Sequence, residues 1–129
     1  HTNNRSIAAD DFFTGMFETA LEEDEIIESI SFSKPIKANY VKFPNPASRY
    51  AMVGVFVAKF GEGVRVAVTG AGEGGVFRHK EMETVLSSNY SSDSLSSLNI
   101  ASDGLISDMH ASAEYRANLI KEMTKRAVV

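Results

Sequence analysis

The sequence predicts a small α+β domain, and two observations lead to this prediction. Short apolar runs punctuated by glycine or proline occupy the middle of the chain, at 40–75, as is typical of β-strands. Beyond Phe77, apolar residues recur at helical spacing instead. Strands followed by helices indicate a fold that segregates the two. We therefore expect a small, mostly antiparallel sheet of three to four strands, followed by helices packed on one face.

The central strand of this sheet is predicted at Ala51–Phe60. Valines alternate there with Met52, Phe56 and other apolar residues, so both faces of the strand are apolar. Gly61-Glu62-Gly63 allows a tight reversal, because glycine adopts positive φ without a steric penalty. The alternating run Val64–Thr69 then pairs back on the first strand. We expect the sheet face away from the helices to meet another domain.

Two further strands, at Ile26–Phe32 and Tyr40–Phe43, are predicted to complete the sheet. Apolar periodicity predicts a short, partly irregular helix within 10–21, a helix at Phe77–Ser88 and a last helix from about Ser112 to Ala127. The serine-rich segment between the last two helices predicts a loop with a short helix.

The stretch Gly70–Gly75 matches the bare spacing of a dinucleotide-binding loop, but its context argues against one. Such a loop joins a strand to a helix within a βαβ unit. Here the preceding strand belongs to an antiparallel hairpin, and no acidic ribose-binding residue follows at the end of a later strand. We therefore reject a nucleotide site at this stretch.

Composition excludes several classes of function. The 129 residues contain no cysteine, which excludes disulfides, thiolate metal sites and a cysteine nucleophile, and suits a cytoplasmic location. The net charge of −4 and the absence of a long basic run argue against a nucleic-acid partner. The run Ala51–Ala58 is far shorter than the roughly 20 residues that span a bilayer. His1 in place of methionine indicates that the natural start is missing.

No self-contained catalytic motif or metal-ligand set is present. His79 and His110 are expected in surface or capping roles, since His110 with nearby aspartates matches no ligand spacing. Arg49 and Tyr50 are different, because they end a proline-stiffened loop directly before the central strand, and rigidly held loops concentrate ligand contacts. From the residues alone, a role for Tyr50 as a cap of the hydrophobic core is an equal alternative.

Four stretches of the chain together resemble one family. They read DDFFTGMFETALEEDEIIESISF, YVKF…ASRYAMVGVFVAKF, GVRVAVTGAGEGGVFR and SAEYRANLIKEMTKRAV. In order and spacing they are similar to the C-terminal end of the flavoprotein medium subunit of aerobic-type carbon monoxide dehydrogenases. Those enzymes belong to the xanthine oxidase family of molybdenum hydroxylases.

The resemblance implies a division of the chain and a set of partners. Residues 1–22 would be the tail of an FAD-binding domain, and 23–129 the C-terminal domain of the medium subunit. The implied partners are the upstream FAD-binding domain, a molybdenum-binding large subunit and an iron–sulfur small subunit. Electrons would pass from the molybdenum cofactor through [2Fe–2S] clusters to FAD. Because the glycine-rich segments that cradle the FAD pyrophosphate would lie in the upstream domain, the isolated fragment would bind FAD poorly or not at all, and it would have no active site of its own.

The resemblance also implies roles for individual residues. An aromatic residue followed by alanine approaches the flavin ring in many relatives, so Tyr50 would shield one face of the isoalloxazine. Arg49 would contact the flavin or a partner-subunit carboxylate, although many relatives have Gly-Asp where this chain has Ser48-Arg49. Tyr115 and Arg116 are expected to be structural, with Arg116 tying the last helix to a neighbouring carbonyl or carboxylate.

A stand-alone α+β protein-interaction module without a redox role is the alternative function. A gene with an upstream glycine-rich FAD domain, beside genes for molybdenum and iron–sulfur subunits, would favour the flavoprotein interpretation. The substrate stays open, because carbon monoxide, aromatic compounds and aldehydes are all compatible with the resemblance.

Overall fold

The computed structural model describes residues 1–128 and divides the chain into two compact units, His1–Lys34 and Pro35–Val129. The first unit contains little regular structure, whereas the second contains a sheet and helices. Among residues 1–128, no helix is long and apolar enough to cross a membrane.

The first unit has three short elements: α1 (Ala9–Phe12), β1 (Phe13–Gly15) and β2 (Glu18–Thr19). The helix predicted within 10–21 is therefore wrong beyond its first turn, since β1 and β2 form an antiparallel hairpin. Phe17, which lies within the segment predicted as helix, is fully exposed and has a φ of 61°. A short helix depends on tertiary packing for stability, and Gly15 lowers the helix propensity of this segment further.

The predicted strand Ile26–Phe32 is also wrong. Ile27 forms only an isolated antiparallel bridge with Thr2, and the Ile26 amide donates to Oδ1 of Asn3 at 2.8 Å. The apolar side chains of this segment are largely exposed. An alternating pattern fits a strand only when a neighbouring strand can pair with it, and this segment bonds to the N-terminal residues instead.

A buried carboxylate, Glu25, organises the first unit. Its Oε1 accepts hydrogen bonds from Nε of Arg5 at 2.8 Å and from the Thr2 hydroxyl at 2.7 Å. Its Oε2 accepts the Glu22 amide at 3.0 Å. The bond from Arg5, followed by those from Glu22 and Thr2, lowers the pKa of Glu25 to about 2. The first unit is therefore built around one ionised side chain.

The second unit contains a four-stranded antiparallel sheet in the order β3-β4-β5-β6. Its strands are β3 (Lys37–Pro44), β4 (Ala51–Phe60), β5 (Gly63–Gly72) and β6 (Gly75–Arg78). The predicted hairpin is confirmed, because β4 and β5 pair from Gly54–Thr69 to Phe60–Gly63 and β4 is a central strand. The fourth strand is β6, rather than the predicted segment in the first unit.

The helices of the second unit are α2 (Lys80–Ser88), a 3-10 turn (Ser92–Leu95) and α3 (Ala113–Ala127). The predicted last helix is confirmed, and Ser112 caps it by accepting the Tyr115 amide. The helix predicted from Phe77 begins later, because Phe77 pairs with Val68 in the sheet. The stretch Gly70–Gly75 lies in the antiparallel connection of β5 to β6, which agrees with the rejection of a nucleotide loop.

The core of the second unit lies between the sheet and the helices, so the predicted α+β class is confirmed. Its most buried side chains come from β4, β5, α2 and α3, namely Val53, Val55, Val57, Val66, Val68, Met82, Leu86, Ile120 and Met123. The opposite sheet face carries the half-exposed rings of Tyr40 and Phe56. That this face meets another domain stays a prediction.

Candidate functional site

The loop between β3 and β4 carries both residues singled out in the sequence. Pro44 lies opposite Ala51 after a shift in register, so the loop leaves and re-enters the sheet at adjacent points. Asn45 closes it, because its amide donates to the Tyr50 carbonyl at 2.7 Å and its carbonyl accepts the Arg49 amide at 2.9 Å. Its side-chain Oδ1 also accepts the amide of Ala47 at 2.9 Å. The loop is thus fixed by its own hydrogen bonds.

Arg49 has an unusual backbone conformation for a residue with a side chain. Its φ is 64°, in the left-handed region that disfavours most residues other than glycine. Such strain persists where surrounding bonds determine the conformation, and here Nζ of Lys42 donates to the Arg49 carbonyl at 3.0 Å. The following Tyr50 amide donates to Oγ of Ser48 at 3.3 Å. These contacts set the direction in which the next side chain leaves the loop.

Tyr50 projects away from the core. Its side chain is 81% exposed, so it does not cap the hydrophobic core of this chain. Within residues 1–128, neither the Tyr50 hydroxyl nor the Arg49 guanidinium has a hydrogen-bond or ion-pair partner, and both residues are exposed. A flat aromatic face beside a free guanidinium suits a ligand that is planar and carries negative charge.

The tyrosine and arginine of the last helix have the structural roles that the resemblance implied. The Tyr115 ring packs edge-on against Phe43 of β3, with ring centroids 6.3 Å apart. Arg116 is buried and donates to the carbonyls of Met52 and Gly70, and its Nη2 donates to Oδ2 of Asp108 at 2.8 Å. The expectation that Arg116 ties the helix to a carbonyl or carboxylate is confirmed for both kinds of partner.

His79 lies at a helix cap and His110 at an exposed turn. His79 caps α2 by accepting the Met82 amide at 3.4 Å, and burial lowers its pKa. His110 is exposed, and its amide donates to Asp108. Among the described residues, no group of three or more histidine, aspartate or glutamate side chains is placed to hold a metal ion. Asp108 caps the turn that contains His110.

A second buried ion pair lies away from this loop. Glu83 of α2 accepts hydrogen bonds from Nη2 of Arg78 at 2.7 Å and from the Val66 amide at 3.0 Å. Burial acts to raise the pKa of Glu83, but the bonds from Arg78 and Val66 outweigh it and the pKa is lowered. Because Arg78 belongs to β6 and Val66 to β5, these bonds join α2 to the sheet.

Sequence reasoning missed the residues that hold the loop. Asn45 lies between two prolines, and asparagine at such a position often bonds to amides two residues on, which is a signal that could have been used. Lys42 alternates with apolar residues on a strand and looks like an ordinary exposed residue. Its bond to the Arg49 carbonyl depends on how the loop returns over β3, which the sequence does not encode locally.

The chain is similar to a curated protein of known role. It is 35% identical, over an alignment of 136 residues, to the nicotine 6-hydroxylase medium subunit of Paenarthrobacter nicotinovorans. The match covers 97% of this chain and 47% of the relative, so the chain spans about half the length of the protein it matches. No family model and no solved structure matches the chain.

Proposed function

We propose that this chain is the C-terminal part of the FAD-carrying medium subunit of a molybdenum hydroxylase. The observation that carries the proposal is the 35% identity to the nicotine 6-hydroxylase medium subunit across 97% of this chain. The four ordered stretches that resemble the same kind of subunit lie within the chain that this alignment covers to 97%. Residues 1–22 are assigned to the tail of the FAD-binding domain, and 23–129 to the C-terminal domain.

The residues of the β3–β4 loop fit a contribution to a flavin site. Tyr50 offers an exposed aromatic face, and Arg49 offers a cation without a partner in residues 1–128. The described residues supply no pyrophosphate cradle, because the glycine-rich stretch forms an antiparallel connection. The proposed contribution is therefore to the ring of FAD, with the phosphates held by the upstream domain.

In this proposal the chain's own residues exclude water and fix geometry. FAD, when bound, supplies the redox chemistry. Tyr50 covers one face of the ring and keeps solvent from it, and the hydrogen bonds around Asn45 hold the tyrosine in place. Arg49 lies beside it and would attract negative charge on the flavin or on a neighbouring subunit. No residue of this chain is assigned a proton transfer.

The proposed partners follow from the kind of enzyme. A molybdenum-binding large subunit and an iron–sulfur small subunit would deliver electrons to FAD in the cytoplasm. The chemistry of the substrate would be set at the molybdenum site of another subunit. A carbon monoxide dehydrogenase is one enzyme that fits this proposal. A hydroxylase of an aromatic compound, like the nicotine enzyme, is another.

The test is to isolate the intact protein that carries this chain from its native source and to analyse what it contains. The proposal predicts one FAD per copy of this chain, together with molybdenum and iron in the same complex. A pure protein with no flavin and no metal-containing partner would contradict the proposal and would favour the interaction module without a redox role.

A further inference from the structure

At the end of the sheet beside the β3–β4 loop, a side chain takes the place of pairing between β4 and β5, while β3 still pairs with β4 as far as Ala51. The ladder between β4 and β5 stops at Gly54–Thr69. Beyond it, the carbonyls of Met52 and Gly70 both accept hydrogen bonds from Nη1 of Arg116, at 2.7 and 3.1 Å. One guanidinium of α3 therefore joins the two strands where they no longer pair.

This junction lies two residues after Tyr50 along the chain. Gly70 has a φ of 77°, and a Cβ at this position would collide with the carbonyl oxygen of Ala51. Ala51 follows Tyr50 in the chain, and Met52, whose carbonyl Arg116 holds, comes next. The backbone that leaves the loop is thus clamped between the end of β5 and the guanidinium of Arg116.

Asp108 completes the clamp from the other side. Its Oδ2 accepts Nη2 of Arg116 at 2.8 Å, while its Oδ1 accepts the amides of His110 and Ala111 at 2.9 and 3.0 Å. Hydrogen bonds from the His110 and Ala111 amides and from Arg116 lower the pKa of Asp108, so the carboxylate stays ionised over the neutral range. The ion pair fixes which way the guanidinium points, because a carboxylate and a guanidinium pair along defined directions.

Burial of a charged arginine at position 116 carries an unfavourable desolvation free energy. Its side chain is 4% exposed, and its Nε has no hydrogen-bond partner within residues 1–128. An unpaired buried N–H is unfavourable, and an apolar side chain of similar length would avoid it. Such a side chain could not donate to both carbonyls, so the arginine serves the geometry of the strand ends.

We propose that Arg116, oriented by Asp108, is a positioning residue for Tyr50. It fixes the first residues of β4, and through them the angle at which the tyrosine leaves the loop. The role in flavin shielding rests on the proposed function, whereas the effect on the loop does not. Arg116 itself touches no cofactor in this proposal.

The experiment uses the intact flavoprotein and compares Arg116→Met, which keeps an unbranched, flexible side chain but removes the donors, with Asp108→Asn. Amide hydrogen exchange is measured at Asn45 and Arg49, whose amides bond within the loop. We expect exchange there to rise about tenfold in Arg116→Met and less in Asp108→Asn, while β4–β5 amides between 54 and 69 keep their protection. The fluorescence of the bound flavin should rise in the same order.

The two readouts separate the inference from the function on which it rests. If loop exchange rises but even Tyr50→Ala leaves flavin fluorescence unchanged, the clamp stands and the flavin role of Tyr50 fails. If Tyr50→Ala changes the fluorescence but Arg116→Met leaves loop exchange at the wild-type rate, the clamp is wrong. Loss of protection throughout the second unit in both variants would also overturn it, because Arg116 would then support the whole fold.

Discussion

The two units of this chain are stabilised in opposite ways. In the first unit, apolar side chains such as Phe17 and Phe32 are exposed, and the organising contact is the buried carboxylate of Glu25. In the second unit, layers of buried valine meet apolar helix residues. Burial of apolar surface is indifferent to pH, whereas a charged network is not. The comparison therefore predicts that core substitution acts mainly on the second unit. Acid acts on the organising contact of the first unit, whereas in the second it acts on the ion pairs of Glu83 and Asp108 and not on the apolar core.

The largest effect is expected from a charge in the valine core. Val55 of β4 is fully buried, so Val55→Asp places a carboxylate there without a partner and should cost more than about 4 kcal/mol, enough to unfold the second unit. Thermal unfolding followed by circular dichroism measures this. The matched control is Phe56→Asp, on the half-exposed face of the same strand, which should cost much less. Equal unfolding midpoints for the two variants would contradict the assigned faces of β4.

The next effect is expected at the polar centre of the first unit. Glu25→Gln removes the charge that accepts from Arg5, so amide protection in 1–34 should fall while protection in the second unit is unchanged. Residue-resolved hydrogen exchange measures amide protection in both units. The control is Glu23→Gln, at an exposed position of the same acidic segment. A loss of protection in the second unit alone would show that the Glu25 network has been misplaced.

A smaller, graded effect is expected from acid. The pKa of Glu25 is lowered from 4.5 to about 2 in the folded chain, so its contribution to stability is present above pH 4.5 and is lost as pH falls toward 2. Protection of amides in 1–34 should decline through that window, and Glu25→Gln should remove most of this dependence. A flat profile between pH 5 and 2 in the wild-type chain would mean that Glu25 is not ionised within a network.

Local pattern was sufficient for most of the second unit, although not for β6, and insufficient for the first. The alternating valines of β4 and β5 and the serine cap of α3 each carry a local signal, so the hairpin and the last helix were predictable. The apolar stripe of 10–21 and the alternation of 26–32 are equally clear in the sequence, yet neither forms the predicted element. A periodic pattern indicates which side chains share a face. The helix or strand forms only where other parts of the protein pack on that face.

The position of the candidate site in the sequence was predictable, but the residues that hold its loop in place were not. Two prolines and an arginine–tyrosine pair before a strand identified the loop, and the structure leaves both side chains exposed. Its supports come from distant residues, because Arg116 is 64 positions from Met52 along the chain. Local periodicity cannot predict a contact between residues so far apart in the chain. An arginine next to the apolar stripe of a helix does indicate that the side chain has a partner inside the fold.

Flavin fluorescence in the intact flavoprotein shows whether Tyr50 shields the flavin ring as proposed. Tyr50 is 81% exposed in this chain, so Tyr50→Ala should change the stability of the second unit by no more than about 0.5 kcal/mol. If the Tyr50 ring covers the flavin, the fluorescence of the bound FAD rises clearly in Tyr50→Ala. It stays near wild type in Tyr50→Phe, which keeps the ring. Tyr40→Ala, on the sheet face, should leave the fluorescence unchanged. Equal fluorescence in wild type and Tyr50→Ala, with FAD fully bound in both, would contradict the claim.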